Sequence, residues 1–133
     1  SQPQAQARYG RALYLGGGYE EARRVFAALH AAAPRNPEYL RFLGTIAALT
    51  GDPEEAASKA RALSDLDGTY LFGRPTLGRA AIAAHLGEEQ TALVLLQASV
   101  AEGVAFGAGL HSDPDLLVLN GNPSFQAFMR PDG

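Results

Sequence analysis

The chain has 133 residues, 47% of them apolar and 19% charged, and a net charge of −3. That composition suits one folded domain, and the mild acidity argues against nucleic acid, whose binding requires a basic face that displaces counterions. The lack of cysteine excludes a disulfide framework and thiolate metal or redox chemistry, and no apolar run approaches the ~20 residues needed to span a bilayer.

Charge is uneven along the chain. Through Thr50 there are six arginines and three glutamates, and the remainder carries five basic and eleven acidic groups. The N-terminal half is therefore suited to an acidic ligand. Ser1 in place of Met suggests a processed product or an excised piece. The arginine-rich, alanine-rich usage points to a bacterial source, and the expected compartment is the cytoplasm, with the periplasm equally compatible with a chain lacking cysteine.

In chain order, Pro3 to Leu15 reads as a first helix with Tyr9, Gly10 and Leu13 on one face at helical spacing. Gly16-Gly17-Gly18 ends it, because glycine takes the left-handed conformation that follows a helix at little steric cost. A second helix runs from Tyr19 to about Ala32, with Ala22, Val25, Phe26 and Leu29 facing inward. Asn36-Pro37 supplies an N-cap and a first-turn proline for a third helix, which runs to about Thr50 and buries Leu40, Leu43 and Ala47. Asp52-Pro53-Glu54-Glu55 does the same for a fourth, with Ala56, Ala60 and Leu63 inside.

A loop is expected over about Ser64 to Gly73, followed by helices over about Pro75 to Leu86 and Glu88 to Glu102. Leu93, Leu95, Leu96 and Val100 make the latter apolar around much of its girth, so it requires cover on both sides. The tail provides it. Asp113-Pro114 and Asn122-Pro123 each read as the start of a short helix, placing Leu116, Leu117, Leu119, Phe125, Phe128 and Met129 on the preceding helix pair. Arg130 to Gly133 is expected to fray.

The helix pairs repeat. Adding 34 carries Pro3 to Pro37, Gly10 to Gly44, Gly17 to Gly51, Glu20 to Glu54, Glu21 to Glu55, Ala22 to Ala56 and Leu29 to Leu63. A fixed period of that length signals stacked supersecondary units. The third unit is displaced by two residues, since Ile82-Ala83-Ala84-His85-Leu86-Gly87 aligns with Ile46 to Gly51 at an offset of 36. The insertion therefore lies between Asp65 and Pro75.

Gly10, Gly17, Tyr19, Ala22, Phe26 and Pro34 in the first unit, and Gly44, Gly51, Pro53, Ala56 and Ala60 in the second, resemble the tetratricopeptide repeat. Gln6, Thr76 and Ser99 depart from the usual apolar choices. The resemblance implies an all-α fold: a short right-handed superhelix of three helix hairpins, over about 3–36, 37–72 and 73–103, closed by a helical cap over 104–130 within a single domain. The ending Asp113-Pro114-Asp115-Leu116, followed by Asn122-Pro123-Ser124-Phe125-Gln126, is similar to tails that close such regions in bacterial multidomain signalling proteins.

From this resemblance the expected function is non-catalytic protein interaction, with a peptide or partner surface, acidic by charge, held in the groove lined by the first helix of each pair. Its residues would be Arg8, Arg11 and Tyr14 from the first unit, Arg41, Phe42 and Thr45 from the second, and Arg74 and His85 from the third. Guanidinium groups pair bidentately with carboxylates and the aromatic rings add contact area. Reversing Arg8 and Arg41 to glutamate is then expected to abolish binding at little cost in stability. The carboxylate clamp by which some family members hold chaperone tails is not reproduced, with Ala7 at one clamp position and Arg11 where asparagine belongs.

The alternative function is self-association, as a homodimer, or docking within a larger signalling or regulatory protein, through the exposed side of the first helix with Tyr9, Leu13 and Tyr14. Neither role calls for a cofactor. His111, Asp113 and Asp115 do not form a metal set, because Asp113-Pro114 is better read as a helix cap. His30 and His85 lie on different units. The glycine runs lack the flanking strand and Lys-Ser/Thr of a phosphate loop, and the paired glutamates at 20–21, 54–55 and 88–89 sit in first helical turns, where they complement the helix dipole.

Overall fold

The computed structural model describes residues 2–66 and 71–130. The middle of the expected loop, 67–70, and the end expected to fray, from 131 on, lie outside the described residues. Within them the chain is all-α. The helices are α1 (Gln2–Leu15), α2 (Tyr19–Ala32), α3 (Pro37–Leu49), α4 (Pro53–Ser64), α5 (Arg74–His85), α6 (Glu89–Ala101), the single turn α7 (Ala108–His111) and α8 (Pro123–Phe128), with a 3-10 turn at Leu117–Leu119 before the last.

Local chemistry sets the boundaries. Asn36 Oδ1 accepts from the Glu38 N–H at 2.9 Å, and Asp52 Oδ1 accepts from the Glu55 N–H at 3.1 Å. Each satisfies a donor that the first helical turn leaves unpaired. Gly17, Gly51 and Gly87, the turn residues between paired helices, all take left-handed φ angles of 80–85° with open space around the missing Cβ. They are required for conformation rather than for closeness.

Packing follows chain order: α1 on α2, α2 on α3, α3 on α4, α4 on α5 and α5 on α6, with α3 also touching α5. Residues at matching positions of the three pairs share their fate. Ala22, Ala56 and Ala92 are buried, as are Leu29, Leu63 and Ser99, and Ile46 and Ile82. Ser99 is accommodated in the core because its hydroxyl donates to the Leu96 carbonyl at 2.7 Å. Gly44 allows the closest approach, since a Cβ there would overlap the Ile82 side chain. The small Ala60 stands where the first pair has Phe26, and Ile82 from the next pair fills the space beside Gly44.

An aromatic stack organises the first two pairs. Phe26 lies parallel to Phe42 with ring centroids 4.4 Å apart, and Tyr14 meets Phe42 edge-on at 5.1 Å. Tyr9, on the face of α1 that also carries Gly10 and Leu13, is half exposed, with its hydroxyl 2.5 Å from Glu21 Oε2. Its polar tip reaches that carboxylate only from the rim, which leaves the close contact between α1 and α2 to Gly10.

The tail covers α6 as its apolar girth requires. Leu110, Leu116, Leu119 and Phe125 join Ala92, Leu93 and Leu96 in one core cluster, with Phe128 and Met129 packed against it. Leu117 corrects the expectation for this segment, because in the tight 3-10 turn it points out to solvent while Leu116 and Leu119 point in. Asn122 caps α8 as expected, accepting from the Phe125 N–H at 3.0 Å. Asp113 caps no α-helix, and its carboxylate is used elsewhere.

Candidate binding cleft

Three helices that begin successive pairs each send one polar side chain toward the tail. Tyr14 of α1, Arg41 of α3 and His85 of α5 converge on Asp115. The Tyr14 hydroxyl donates to Asp115 Oδ1, and His85 Nε2 lies 3.0 Å from the same oxygen. Arg41 donates to Asp115 Oδ2 from Nε at 3.1 Å and from Nη2 at 2.7 Å. The same Nη2 reaches both oxygens of Asp113 at 2.7 Å, and Asp113 Oδ1 accepts from the Asp115 N–H at 3.0 Å. Since Asp115 Oδ1 is an acceptor only, His85 carries its proton on Nε2.

This cluster is interior. The Asp115 side chain is 4% exposed and that of Arg41 17%. Burial alone would raise the Asp115 carboxyl, but the His85 hydrogen bond, the Arg41 charge and the Tyr14 hydroxyl outweigh it and hold the group at about 2. Tyr14 is pushed up, first by burial and then by the Asp115 charge. Burial lowers Arg41, and the two carboxylates more than restore it, so the guanidinium stays charged.

The clasp floors a cleft of about 570 Å³. Arg11, Tyr14 and Leu15 of α1, Pro37, Glu38, Arg41 and Phe42 of α3, and Arg74 and Leu77 of α5 form one side of it. Gly109, Ser112 and Pro114 of the tail, with Asp113 and Asp115, form the other. Leu15 is 67% exposed and Leu77 is half buried. Leu77 also packs against the core cluster around α6, so only part of its surface faces the cleft.

The expected groove residues separate into three groups. Arg11, Tyr14, Arg41, Phe42 and Arg74 do line the cleft, but Arg11 is bonded to Glu38 at 3.2 Å and Arg41 is consumed by the tail. Thr45 is fully buried, its hydroxyl donating to the Phe42 carbonyl, and His85 lies beneath Asp115, so neither presents a surface. Arg8 is exposed on α1 outside the cleft. The expectation that Arg41 is exposed is overturned by its paired position under the tail, which removes the ground for expecting its charge reversal to cost little stability.

Sequence reasoning missed Asp113 and Asp115 as partners of Arg41 because Asp-Pro before an apolar run is an ordinary cap signal. The signal that could have found them is the charge balance: a basic first half and an acidic second half within one small domain can neutralise each other. His111 forms a second clasp. Its Nδ1 is 2.8 Å from the Gly107 carbonyl and its Nε2 2.6 Å from the Met129 carbonyl. Both nitrogens must donate to satisfy this geometry, and these backbone contacts raise its pKa.

No protein-family model matches the chain, and neither a characterised protein nor a solved structure matches it.

Proposed function

We propose that the chain is a non-catalytic protein-interaction module of tetratricopeptide type, in which three helix pairs form a short superhelix and a peptide or partner surface lies in its groove. The observation that carries this reading is the open cleft between the first, third and fifth helices, where Leu15, Leu77 and Phe42 offer apolar contact beside arginine. Pockets of this kind, apolar with a few placed polar groups, favour ligand binding. The recurrence of turn glycines at 17, 51 and 87 and of buried alanines at 22, 56 and 92 supports the repeat assignment.

Chemistry on a bound substrate is disfavoured by the state of the polar cluster. A general base works best with a pKa near the operating pH, whereas Asp115 is held at about 2 and Tyr14 is moved upward. Each is driven away from neutrality, and the carboxylate has its acceptor sites filled by groups of the chain itself.

The test is selection of binders from a random peptide library displayed on phage, against the wild-type chain and against a Leu15→Lys/Leu77→Lys variant. Peptides that bind the first and not the second are expected. Failure to enrich any peptide, or equal binding to the variant, would overturn the groove reading.

A further inference from the structure

The tail decides what the cleft can take. Of the side chains lining it, three are arginines and three are carboxylates, Glu38, Asp113 and Asp115. Arg11 is paired with Glu38, and Arg41 with both aspartates. Arg74 differs. Its Nε donates to the Leu71 carbonyl at 3.1 Å, and among the described residues no carboxylate lies in ion-pair range of it. It begins α5 and is exposed.

The aspartates cannot step aside for a competitor. They sit between Leu110 and Leu116, which are 5% and 1% exposed in the core cluster around α6, so the segment is pinned on both sides. An incoming run of acids would therefore meet Glu38, Asp113 and Asp115 with Arg74 as the one lining guanidinium unpaired with a carboxylate among the described residues. Like charges disfavour that arrangement.

Resting on the interaction-module reading, we propose that the cleft selects an extended segment carrying a single carboxylate next to an aliphatic or aromatic side chain. The carboxylate pairs with Arg74, and the apolar neighbour covers Leu77 and Leu15. The docked tail acts as the selectivity wall: Ser112 and Pro114 close the far side, and Asp113 and Asp115 deny Arg41 to the ligand. The specificity thus comes from a repulsive element built into the protein as well as from an attractive one.

The experiment uses peptides recovered from the phage library on the full chain, synthesised with a fluorescein label and titrated by anisotropy. The sequences are expected to share one Asp or Glu, or a free C-terminal carboxylate, adjacent to a large apolar residue. Replacing that acid by its amide, or Arg74 by glutamate, should weaken binding at least about ten-fold, the scale of one charge-assisted hydrogen-bonded contact. Arg74→Glu keeps the fold intact, because an acidic residue in the first turn of α5 suits the helix dipole; Arg8→Glu, outside the cleft, should leave affinity unchanged. Adding two further acids to the peptide should weaken binding, not strengthen it. Peptides rich in consecutive acids, or affinity indifferent to Arg74→Glu, would overturn the single-carboxylate rule while leaving the groove reading in place. Recovery of no peptide would remove both.

Discussion

Arg41 and Asp115 are 74 positions apart in the chain and 2.7 Å apart in space. Their contact joins the second helix pair to the tail, and Tyr14, from the first pair, and His85, from the third, complete the same carboxylate. One side chain of the tail is therefore tied to every pair. Removing a single member of such a cluster leaves a buried charge without its partner, which is costlier than replacing the whole by apolar groups.

Arg41→Ala is thus expected to destabilise the chain by about 3 to 5 kcal/mol, read as a shift in urea midpoint at constant m-value. Arg8→Ala serves as the contrast and should stay within about 0.5 kcal/mol, since Arg8 is exposed and lies outside the cleft. Equal midpoints for the two variants would contradict the buried clasp.

Acid should undo the clasp late. Asp115 is held at about 2 in the folded chain and returns to about 3.9 when unfolded. A group with a depressed folded pKa stabilises above its unfolded value and loses that contribution as pH falls through the folded one. The contribution, about 2 to 3 kcal/mol, is therefore nearly intact at pH 5 and is lost progressively as pH falls from about 5 to below 2. Stability measured against pH should show this slope in the wild type and a flatter one in Asp115→Asn, after allowance for the lower starting stability of the variant.

His111 runs in the opposite sense. Its pKa is raised by the carbonyls of Gly107 and Met129, so its support for the tail is fully present below its unfolded value, about 6.5. That support fades as pH rises through the higher folded value. Two-dimensional NMR should find the His111 ring titrating above His30, whose pKa is lowered by burial and by Lys59. The reverse order would remove the two-donor assignment.

Much of this fold was legible because its signals are local. Asn36-Pro37 and Asp52-Pro53 cap helices, and Gly17, Gly51 and Gly87 turn the chain, by chemistry within four residues. The buried set Ala22, Phe26, Leu29, Ala56 and Leu63 follows from helical period alone. The clasp was not legible, since a cap and an ion-pair partner draw on the same Asp-Pro-Asp spelling, and only the folded chain brings residue 113 to residue 41. Tyr14 likewise lies at a helical position that suits either a groove wall or a buried strut. Its partner, 101 positions away, decides the matter.

The aromatic stack is expected to carry much of the first pair's stability. Phe26 is fully buried, parallel to Phe42 and tilted against Tyr39. Phe26→Ala should cost about 3 to 5 kcal/mol, combining lost transfer free energy with the cavity left behind. Phe26→Leu should recover part of that by refilling the space. A loss below about 1 kcal/mol for the alanine variant in calorimetry would mean that the surrounding helices collapse into the gap.

Gly44 offers the sharpest test of how the second and third pairs meet. A Cβ at this position would overlap the Ile82 side chain and come 3.2 Å from Lys59 Cβ. Gly44 lies within α3, so alanine would by itself favour the helix by about 1 kcal/mol, and the overlap costs about that much more than any net loss measured. Gly44→Ala is expected to destabilise by about 1 to 3 kcal/mol, the range for overpacking. Ile82→Ala alone should also destabilise, by leaving a cavity. In the double variant the added methyl occupies space that the isoleucine vacates, so its loss should be smaller than the sum of the two single losses by at least about 0.5 kcal/mol. Strict additivity in urea unfolding would mean that Gly44 and Ile82 are not in contact, and the packing of α3 on α5 would have to be redrawn.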